Sequence, residues 1–590
     1  MSQTLVQWRE WNDATFAEAR TQNKPMLLHI GAVWCHWCHV MDRGVPGDPV
    51  HTGVYSNAEI AEYVNRHFIP IRVDNDQRPD INARYNMGGW PTTCFLTPDG
   101  EVIYGATYLA PSQMRGLMPQ VVDVWANRRE ELLQKMSEAK PADVEAPSVV
   151  RESSLPENAV QQIVDVIVRN FDAKNGGLGA SQKFPMSDAW QLLLVLAGER
   201  QDVRMRGMVE QTLVAMGTRG MYDREAGGWF RYSTTPDWSV PHFEKMLEDH
   251  ARLLPVYLGA LQSAADDDVR ETLRAVVNAS LEYLTGTLLH DADGATYFYG
   301  SQDADEHYYT LSKIERAPLD APFIDQRLYV DWNSLMVSAL LQASLVLERP
   351  ELADLAQRVL HTLRALCVAA DGCVTHSIEF RDGVARAQSL RGQLGDQAAF
   401  ARAALDAAQH DFGNAASHMA AVQTVLDYAD RTLAAPEGGY YDSAGDEAKH
   451  GLLRLRLRPI FDNCAMADAL LTYDALVGET SVNVRGARVL ATFSDEYARY
   501  REHAAPYALA LRRALQAPEE IVVVAESDDA RKLVHAALKN SSGWRVVRVL
   551  HAQRDAEEIA ARGFPTARTP AAFVCRGTTC SAPIYDAAAL

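Results

Sequence analysis

A repeated alternation of helices, glycine-rich loops and short turns constrains the fold of this 590-residue chain more than any other feature. Apolar residues recur with helical spacing over most of residues 157–515. The longer connections are rich in glycine, and they recur at spacings of roughly 50 to 80 residues, alternating with short turns. The pattern predicts twelve helices, near 157–171, 187–199, 203–219, 242–263, 268–289, 331–347, 351–369, 393–409, 412–434, 463–477, 483–500 and 505–515.

Helices paired in this way predict a closed ring. A helical hairpin cannot bury its own apolar face, whereas six hairpins closed into a ring bury all of these faces together. The connections would then alternate between the two ends of an all-α (α/α)6 toroid, with every glycine-rich loop at the same end. Because long loops on a rigid scaffold often carry function, this end is the predicted site. An open solenoid built from the same hairpins remains the alternative.

The two ends of the chain show a different pattern. Short apolar strands alternate with helical stretches before residue 135, and strands recur after residue 516. Residues 136–156 are rich in Pro, Ala, Glu and Ser and show no periodicity. We therefore expect a multidomain chain. Its parts are an α/β domain at 1–135, a linker at 136–156, the toroid at 157–515 and a small α/β C-terminal segment at 516–590.

Composition and charge exclude some classes of partner. The formal net charge of −20 argues against nucleic acid or an anionic membrane surface as the main partner. No apolar run is long enough to span a bilayer, and residues 1–9 lack a basic-then-apolar leader pattern, so a cytoplasmic location is expected. Eight cysteines in a chain of this length do not form a disulfide framework. A close pair of cysteines is therefore expected to be redox-active or metal-binding.

The sequence Cys35-His36-Trp37-Cys38 follows the first predicted strand and opens a helix, which is the context of a thioredoxin-like redox motif. Free N–H groups and the helix dipole favour a thiolate at such a position. Cys35 is therefore the predicted nucleophile and the more exposed thiol, and Cys38, one turn later, would resolve a mixed disulfide. A cis Trp90–Pro91 bond that faces the cysteines is also predicted.

Other interpretations of the cysteines stay open. The motif Cys-x-x-Cys-His is also the attachment site of c-type haem, and Cys35 and Cys38 could bind a metal ion with His36 or His39. In a degenerate domain the two cysteines would only pack. A second pair, Cys575 and Cys580, is compatible with a disulfide or a shared metal ion, and also with two separate thiols.

The loops and helix starts of the toroid carry acids, amides and aromatic residues of the kind that bind sugars. A sugar ring has an apolar face and a hydroxyl rim, and acid–base chemistry on it needs two titratable groups. His242, Glu244 and Asp331 are the predicted catalytic residues of the toroid. The predicted binding residues are Trp90 and Pro91 in the N-terminal domain and Trp229, Tyr232, Trp238, Asp303, Asp305, Asn333, Asp462 and Asn463 in the toroid.

Each of these residue types also has a purely structural interpretation. Asp and Asn at helix starts are ordinary N-caps, loop acids are often solvated, and tryptophans often lie in the core. The sugar-site interpretation requires that His242, Glu244, Asp331 and Asp462 line one cavity at the loop end of the toroid.

Longer motifs run through most of the chain. They are CHWCHVM (35–41), RPD (78–80), GGWP (88–91), FLTPDG (95–100), KFP (183–185), DWSVPHFEKML (237–247), DAD (303–305), DWN (331–333) and PIFDN (459–463). With these motifs the chain resembles the spermatogenesis-associated thioredoxin-domain family. The resemblance implies a thioredoxin-like domain followed by an (α/α)6 toroid similar to those of N-acylglucosamine 2-epimerases and six-hairpin glycosidases.

Two functions are compatible with these features. The first is a thiol-redox domain tethered to a sugar-binding or carbohydrate-active toroid. Such a protein would be a thiol–disulfide oxidoreductase, a carbohydrate epimerase or hydrolase, or both. The second is a non-catalytic, chaperone-like protein whose toroid binds protein clients for the redox domain. The expected partners are a sugar or small polar metabolite and a thiol or disulfide protein, with no cofactor and no metal ion. An acidic, aromatic cavity would favour the first function, and an apolar groove the second.

Overall fold

The computed structural model describes residues 5–45, 47–48, 51–139, 154–445, 450–478, 485–526, 528–539, 543–577 and 579–590. The chain divides into two compact units. The first comprises residues 1–149 with the short segments 303–305 and 443–457, and the second comprises the remainder. Among the described helices, none is both long and apolar enough to cross a membrane.

A four-stranded sheet with helices around it forms the first unit. Its strands are β1 Met26–Gly31, β2 Ile69–Asp74, β3 Thr92–Leu96 and β4 Val102–Ala106, in the order β2-β1-β3-β4. Strand β1 is parallel to β2 and antiparallel to β3. Its helices are α1 Asp13–Gln22, α2 His36–Arg43, α3 Ala58–His67, α4 Pro79–Tyr85, α5 Pro111–Asn127 and α6 Arg129–Ala139.

Successive side chains of β1 point to opposite faces of the sheet and are buried on both, because helices cover both faces. Leu27 packs into a cluster with Phe95 and residues of α3 and α5, whereas Leu28 packs into a second cluster with Phe16 of α1. Every residue of β1 is buried, as expected for a central strand with two covered faces. The predicted cis Trp90–Pro91 bond before β3 is confirmed.

The second unit begins with fourteen helices that contain the predicted ring. They are α7 Ala159–Asn170, α8 Ser187–Arg200, α9 Val203–Thr218, α10 Leu247–Ser263, α11 Asp267–Tyr283, α12 Glu306–Thr310, α13 Lys313–Arg316, α14 Val330–Val346, α15 Pro350–Cys367, α16 Leu394–His410, α17 Ala415–Thr432, α18 Ile460–Leu476, α19 Arg485–Ala491 and α20 Ala505–Ala514.

Helices α8, α10, α14, α16, α18 and α20 pack side by side in this order, and α20 packs back against α8. The ring is therefore closed, which confirms the toroid prediction and excludes the open solenoid. Helices α7, α9, α11, α15, α17 and α19 pack outside the ring. The inner helix α14 is buried around most of its circumference, whereas its outer partner α15 is amphipathic, because one face of α15 meets solvent.

Short strands connect the ring helices at the end where the inner helices begin. They are β5 Tyr232–Ser233, β6 Pro241–His242, β7 Lys245–Met246, β8 Leu289–Ala292, β9 Ala295–Phe298, β10 Ser301–Gln302, β11 Ile324–Asp325, β12 Leu328–Tyr329, β13 Ser377–Arg381 and β14 Val384–Ala387. His242 and Glu244 were predicted to begin a helix. That prediction is wrong, because β6 and β7 occupy these positions and α10 begins at Leu247.

The fourth residue of four inner helices is a buried polar side chain that binds the backbone of the preceding loop. Asn333 of α14 accepts from the Phe298 N–H (2.8 Å) and donates to its carbonyl (3.0 Å). Asn463 of α18 makes the same pair of bonds to Tyr440 (2.7 and 2.9 Å). The other two are His250 of α10, which accepts from the Trp229 N–H (3.1 Å), and Gln397 of α16, which bonds the backbone at 372 and 374 (3.1 and 2.9 Å).

The C-terminal residues form a second small sheet. Its strands are β15 Glu519–Ala525, β16 Arg545–His551, β17 Ala571–Arg576 and β18 Thr579–Cys580 in the order β16-β15-β17-β18, with helices α21 Arg531–Lys539 and α22 Ala556–Ala561. This layer covers the end where the inner helices finish. The Gln262 amide at the end of α10 donates to the Lys539 carbonyl (2.8 Å), and Gln409 at the end of α16 accepts from the Val547 N–H (3.0 Å).

The observed units differ from the boundaries expected from the sequence. Helix α6 extends to Ala139, into the expected linker, and residues 140–153 lie outside the described part of the chain. The segments 303–305 and 443–457 group with the first unit although they lie within the expected toroid, and residues 516–590 group with the ring. These groupings cannot be predicted from sequence order, because a loop between two ring helices can pack with residues that are distant in sequence.

Replacing Asn333 with Ala should destabilise the protein because it leaves the buried N–H and C=O of Phe298 without partners. We expect the free energy of unfolding to fall by about 2–4 kcal/mol, measured by chemical denaturation. The matched control is Gln161→Ala, which removes an exposed amide from α7 and should change stability by less than about 0.5 kcal/mol. Equal effects of the two substitutions would contradict the anchoring role.

Candidate functional site

The Cys-x-x-Cys motif lies where β1 leads into α2. Cys35 is the N-cap of α2, and its sulfur accepts a hydrogen bond from the Cys38 N–H (3.3 Å). Cys35 and Cys38 are joined as a disulfide, with their Cα atoms 5.2 Å apart. Each is only 4% exposed, so the prediction that Cys35 is the more exposed of the two is wrong for this oxidised form. The predicted placement of Cys35 at a helix start is confirmed.

Aromatic and polar side chains surround the disulfide. The Trp34 indole donates to the Asp76 carboxylate (2.5 Å), and its ring packs edge-on against Trp90. Trp90 is half-buried, and Pro91 is buried beside it. A ring nitrogen of His39 bonds the Val33 carbonyl (2.9 Å), and burial lowers the pKa of His39, so this imidazole is mainly neutral at pH 7.

Two acids that were predicted to bind sugar in the toroid belong instead to the first unit. The carboxylate of Asp303 lies 3.7 Å from Nδ1 of His39, four residues after Cys35. Asp305 is exposed. This is a correction to the predicted site, because the loop that carries both acids clusters with the thioredoxin-like unit rather than with the ring.

The ring encloses a cavity of about 570 Å³ that is lined by all six inner helices. Five of these helices carry an aspartate at their second or third residue, namely Asp188, Asp249, Asp331, Asp396 and Asp462. All of them except Asp396 line the cavity. Deeper in the cavity the lining becomes basic, where Arg402 and Arg513 both pair with Asp468 (2.6 and 2.5 Å).

Burial dominates the electrostatics of the acidic end. It raises the pKa of Asp249, Asp331 and Asp462 to about 7 each. Neighbouring acids add to the shift, with Asp396 acting on both Asp331 and Asp462. The nearby guanidinium of Arg252 is bound to Glu248 (2.9 Å). Several carboxyl groups in one cavity cannot all ionise together, so protonated and ionised members coexist near neutral pH.

A buried histidine contacts one of these early-helix aspartates. Nδ1 of His376 lies 2.9 and 3.1 Å from the two carboxylate oxygens of Asp396, and both side chains are buried. One ligand atom each of His376, Asp396 and Asp331 lies within 4.8 Å of the others, and among the described residues this group could hold a metal ion. An ion there would compete with the hydrogen bonds between His376 and Asp396.

The other predicted catalytic residues lie on β6 and the turn after it. Nδ1 of His242 is 3.4 Å from Glu244 Oε1. The His242 ring stacks on Tyr232, with 4.5 Å between the ring centroids, and Tyr232 stacks on Phe184, with 4.9 Å between the centroids. Glu244 Oε2 is buried without a hydrogen-bond partner within the described residues.

The expectation that four residues share one cavity is only partly met. Asp331 and Asp462 line the cavity, whereas His242 and Glu244 do not. Glu244 is nevertheless near enough to raise the pKa of the cavity residue Asp249.

Four further residues of the predicted site are corrected by the structure. Trp229 and Trp238 are fully buried, and their indoles donate to the Tyr257 hydroxyl (3.2 Å) and the Asn175 carbonyl (3.1 Å). Asn333 and Asn463 are also fully buried, and the backbone bonds described above occupy them. These side chains hold the loops in place and present no surface to a ligand.

A family model matches the N-terminal quarter of the chain. Residues 1–142 match the family model Thioredox_DsbH, which is described as "Protein of unknown function, DUF255". Spermatogenesis-associated protein 20 of Rattus norvegicus is 29% identical over 322 residues, which is 51% of this chain and 39% of the relative. The predicted resemblance to the spermatogenesis-associated thioredoxin-domain family is confirmed. The chain spans about two fifths of the length of this relative.

Two other proteins are each similar to part of the chain. Thiol:disulfide interchange protein DsbD 1 of Pseudomonas aeruginosa is 36% identical over 89 residues, covering 15% of this chain and 14% of that protein. The crystal structure of a sugar epimerase from a ruminal bacterium aligns with a TM-score of 0.43 at 9% identity, covering 59% of this chain and 85% of that one.

The residues that sequence reasoning missed share a positional signal. Asp188, Asp249 and Asp396 occupy the same early helix positions as Asp331 and Asp462, so aligning the inner helices by their starts would have found them. His376 carries no such signal, because it precedes the short strand β13 and approaches Asp396 only through the tertiary fold.

The geometry of α2 predicts unequal reactivity of the two thiols after reduction. The Cys38 N–H and the start of the helix both stabilise a thiolate at Cys35, so iodoacetamide at pH 7 should modify Cys35 at least about tenfold faster than Cys38. Peptide mass spectrometry measures both rates. In the control variant Cys38→Ala, Cys35 should keep its rate, and equal rates in the unmodified protein would contradict the prediction.

The raised carboxyl pKa values predict that stability falls as pH rises. The folded state keeps protons on Asp331 and Asp462 up to about pH 7, whereas the unfolded chain loses them near the ordinary aspartate pKa of 3.8. Stability should therefore be lost between about pH 4 and pH 7 and stay low above that range.

Replacing Asp331 with Asn removes the part of this pH-dependent loss of stability that Asp331 causes. We expect stabilisation by about 1–2 kcal/mol at pH 8 and no change at pH 4, measured by denaturant unfolding. Asp382→Asn, in the exposed turn between β13 and β14, is the control and should leave stability unchanged at both pH values. A stabilisation that is the same at pH 4 and pH 8 would show that ionisation is not its cause.

Proposed function

We propose that the chain is a thiol–disulfide exchange protein whose helical ring acts on a sugar or a similar polyhydroxylated substrate by acid–base catalysis. The single observation that carries the ring's part is the set of three carboxyl groups, Asp249, Asp331 and Asp462, with pKa values of about 7 around one cavity. Such values poise a group to give or take a proton at neutral pH.

The acidic end supplies the two groups that sugar chemistry needs. Epimerisation removes a proton from one side of a carbon and returns it, and glycoside hydrolysis needs an acid and a base or nucleophile flanking one bond. Asp331 and Asp462 both have pKa values of about 7, so each carboxyl group is present in its ionised and in its protonated form at neutral pH. The ionised member would act as base and the protonated member as acid. A volume of about 570 Å³ is large enough for a small saccharide.

The stacked rings near the cavity suit the apolar face of a sugar. Phe184 is 43% exposed and forms the outer member of the stack with Tyr232 and His242. The next residues along the chain, Pro185 and Met186, line the cavity, so the stack stands at its rim. We assign Tyr232 and His242 to substrate binding there, with Glu244 orienting the imidazole.

The first unit would carry out dithiol–disulfide exchange. The reduced Cys35 thiolate attacks a partner disulfide, and the Cys38 thiol then attacks the mixed disulfide, so two electrons pass to the partner and Cys35–Cys38 forms. The helix-start geometry of Cys35 supports this assignment, as does the similarity to a thiol:disulfide interchange protein. Trp90 and the cis Pro91 are the proposed contacts for the partner.

The alternative, a ring that captures apolar protein clients, has less support. Carboxyl groups and ion pairs lie among the small and apolar residues of the cavity lining, and they include the pairs of Arg402 and Arg513 with Asp468. Burying an apolar client there would desolvate these charged groups without providing hydrogen bonds in return.

The test is a saccharide panel containing D-glucose, D-mannose, N-acetyl-D-glucosamine and their p-nitrophenyl glycosides. Proton NMR in D2O follows binding, exchange at C2 and release of the aglycone. With the sugar that reacts, Asp331→Asn and Asp462→Asn should each lower kcat by about 100-fold or more. Both variants should keep the Cys35 alkylation rate.

Asp382→Asn is the matched control, because it makes the same chemical change in an exposed turn, and it should leave kcat unchanged. Unchanged turnover in both cavity variants would reject the acid–base role. If no sugar of the panel binds to the unmodified protein or to the variants, the proposal of a sugar substrate is rejected.

A further inference from the structure

The second cysteine pair occupies facing positions at the edge of the C-terminal sheet. Cys575 of β17 and Cys580 of β18 are register partners, with Cα atoms 4.0 Å apart, and they form a disulfide. Strand β18 has only two residues and pairs with β17 alone in the sheet order β16-β15-β17-β18. Of the disulfide, the shared metal ion and the two separate thiols that the sequence left open, the structure shows the disulfide.

The two sulfurs differ in accessibility. Cys575 is 1% exposed and belongs to a core cluster with Phe564 and Phe573. Cys580 is half-buried at the edge of the sheet. Attack by a thiolate from solvent is therefore expected at Cys580, the more exposed residue of the pair, with Cys575 as the leaving group.

The position of this disulfide is a poor one for a structural cross-link. It joins residues five apart in sequence, and the constraint that a disulfide places on the unfolded chain grows with loop length, so a loop this short gains little. The remaining cysteines (Cys94, Cys367, Cys373 and Cys464) are buried free thiols, so disulfides do not form a framework for the fold.

The disulfide does restrain the C-terminal residues of the described chain. After Cys580, the Ser581 N–H donates to the Val574 carbonyl (2.9 Å), and Ile584 exchanges two backbone hydrogen bonds with Ala572 (2.8 Å each). The residues that follow pack onto the core formed with α21, and Ala587 reaches a pocket lined by α8, α10 and α14. Residues 579–590 are therefore part of the layer that covers one end of the ring.

We propose that Cys575–Cys580 is a second thiol–disulfide exchange site, which takes a dithiol as its reductant and controls how firmly residues 579–590 are held. One thiolate of the dithiol attacks Cys580 Sγ, the Cys575–Cys580 bond breaks, and the Cys575 thiolate takes up a proton. The second thiolate of the dithiol then attacks its own mixed disulfide and releases the Cys580 thiol. Two electrons pass to the pair, and the dithiol leaves as a disulfide.

Dithiothreitol reduction of the full-length protein tests the exchange step, in a Cys35→Ala/Cys38→Ala background that removes the other redox pair. Samples are quenched with acid, alkylated and digested with trypsin, which cuts after Arg576 and places the two cysteines on separate peptides. The folded protein should be reduced at a rate within about tenfold of the urea-unfolded protein, because Cys580 is accessible. Protection of about a thousandfold or more, or complete alkylation before reduction, would overturn the proposal.

Hydrogen exchange tests the structural consequence. On reduction, amides in residues 579–590 should exchange at least about tenfold faster, whereas amides in β15 should not change. Cys580→Ser should reproduce this increase without reductant, and it leaves the buried Cys575 in place. Unchanged exchange in both the reduced protein and this variant would reject control of the C-terminal residues, even if the disulfide itself is reducible.

Discussion

In four inner helices, a buried polar side chain at the fourth residue bonds the backbone of the preceding loop. These bonds organise the ring. In α14 and α18 an asparagine satisfies both the N–H and the C=O of one buried residue, Phe298 or Tyr440. An unpaired buried amide is costly, so this bond fixes the distance between the loop and the helix start. The acids at the second and third helix positions are then directed toward the ring interior.

The position of these bonds also explains why several carboxyl groups meet in one cavity, and the following effects explain why they can lie close together. Once the early residues of the inner helices converge, their carboxyl groups lie in a small volume with little water, and protonation relieves part of the repulsion. Helix N-termini favour negative charge, which offsets another part.

The two disulfides contrast in their placement. Cys35 and Cys38 lie on one helix turn, and both are buried beside aromatic side chains. Cys575 and Cys580 join two strands at a sheet edge, where Cys575 is buried and Cys580 is half-buried. Redox chemistry depends on these surroundings as much as on sequence spacing, because the attacking thiolate must reach a sulfur along the direction of the bond.

Periodicity and motif position in the sequence were sufficient to predict six helix pairs, the start of a helix at Cys35 and the cis bond before Pro91, whereas the packing of α20 against α8 decided between a closed ring and an open solenoid. The predicted features are local, or sums of local features, because apolar spacing decides which faces must be buried. The tertiary structure decided which polar residues form the site. Asn333 and Asp331 lie two residues apart, yet one anchors a loop and the other lines the cavity, since successive residues of a helix point in different directions. Only the closed ring brings residues as distant as Asp188 and Asp462 into one cavity, because that proximity depends on packing and not on sequence spacing.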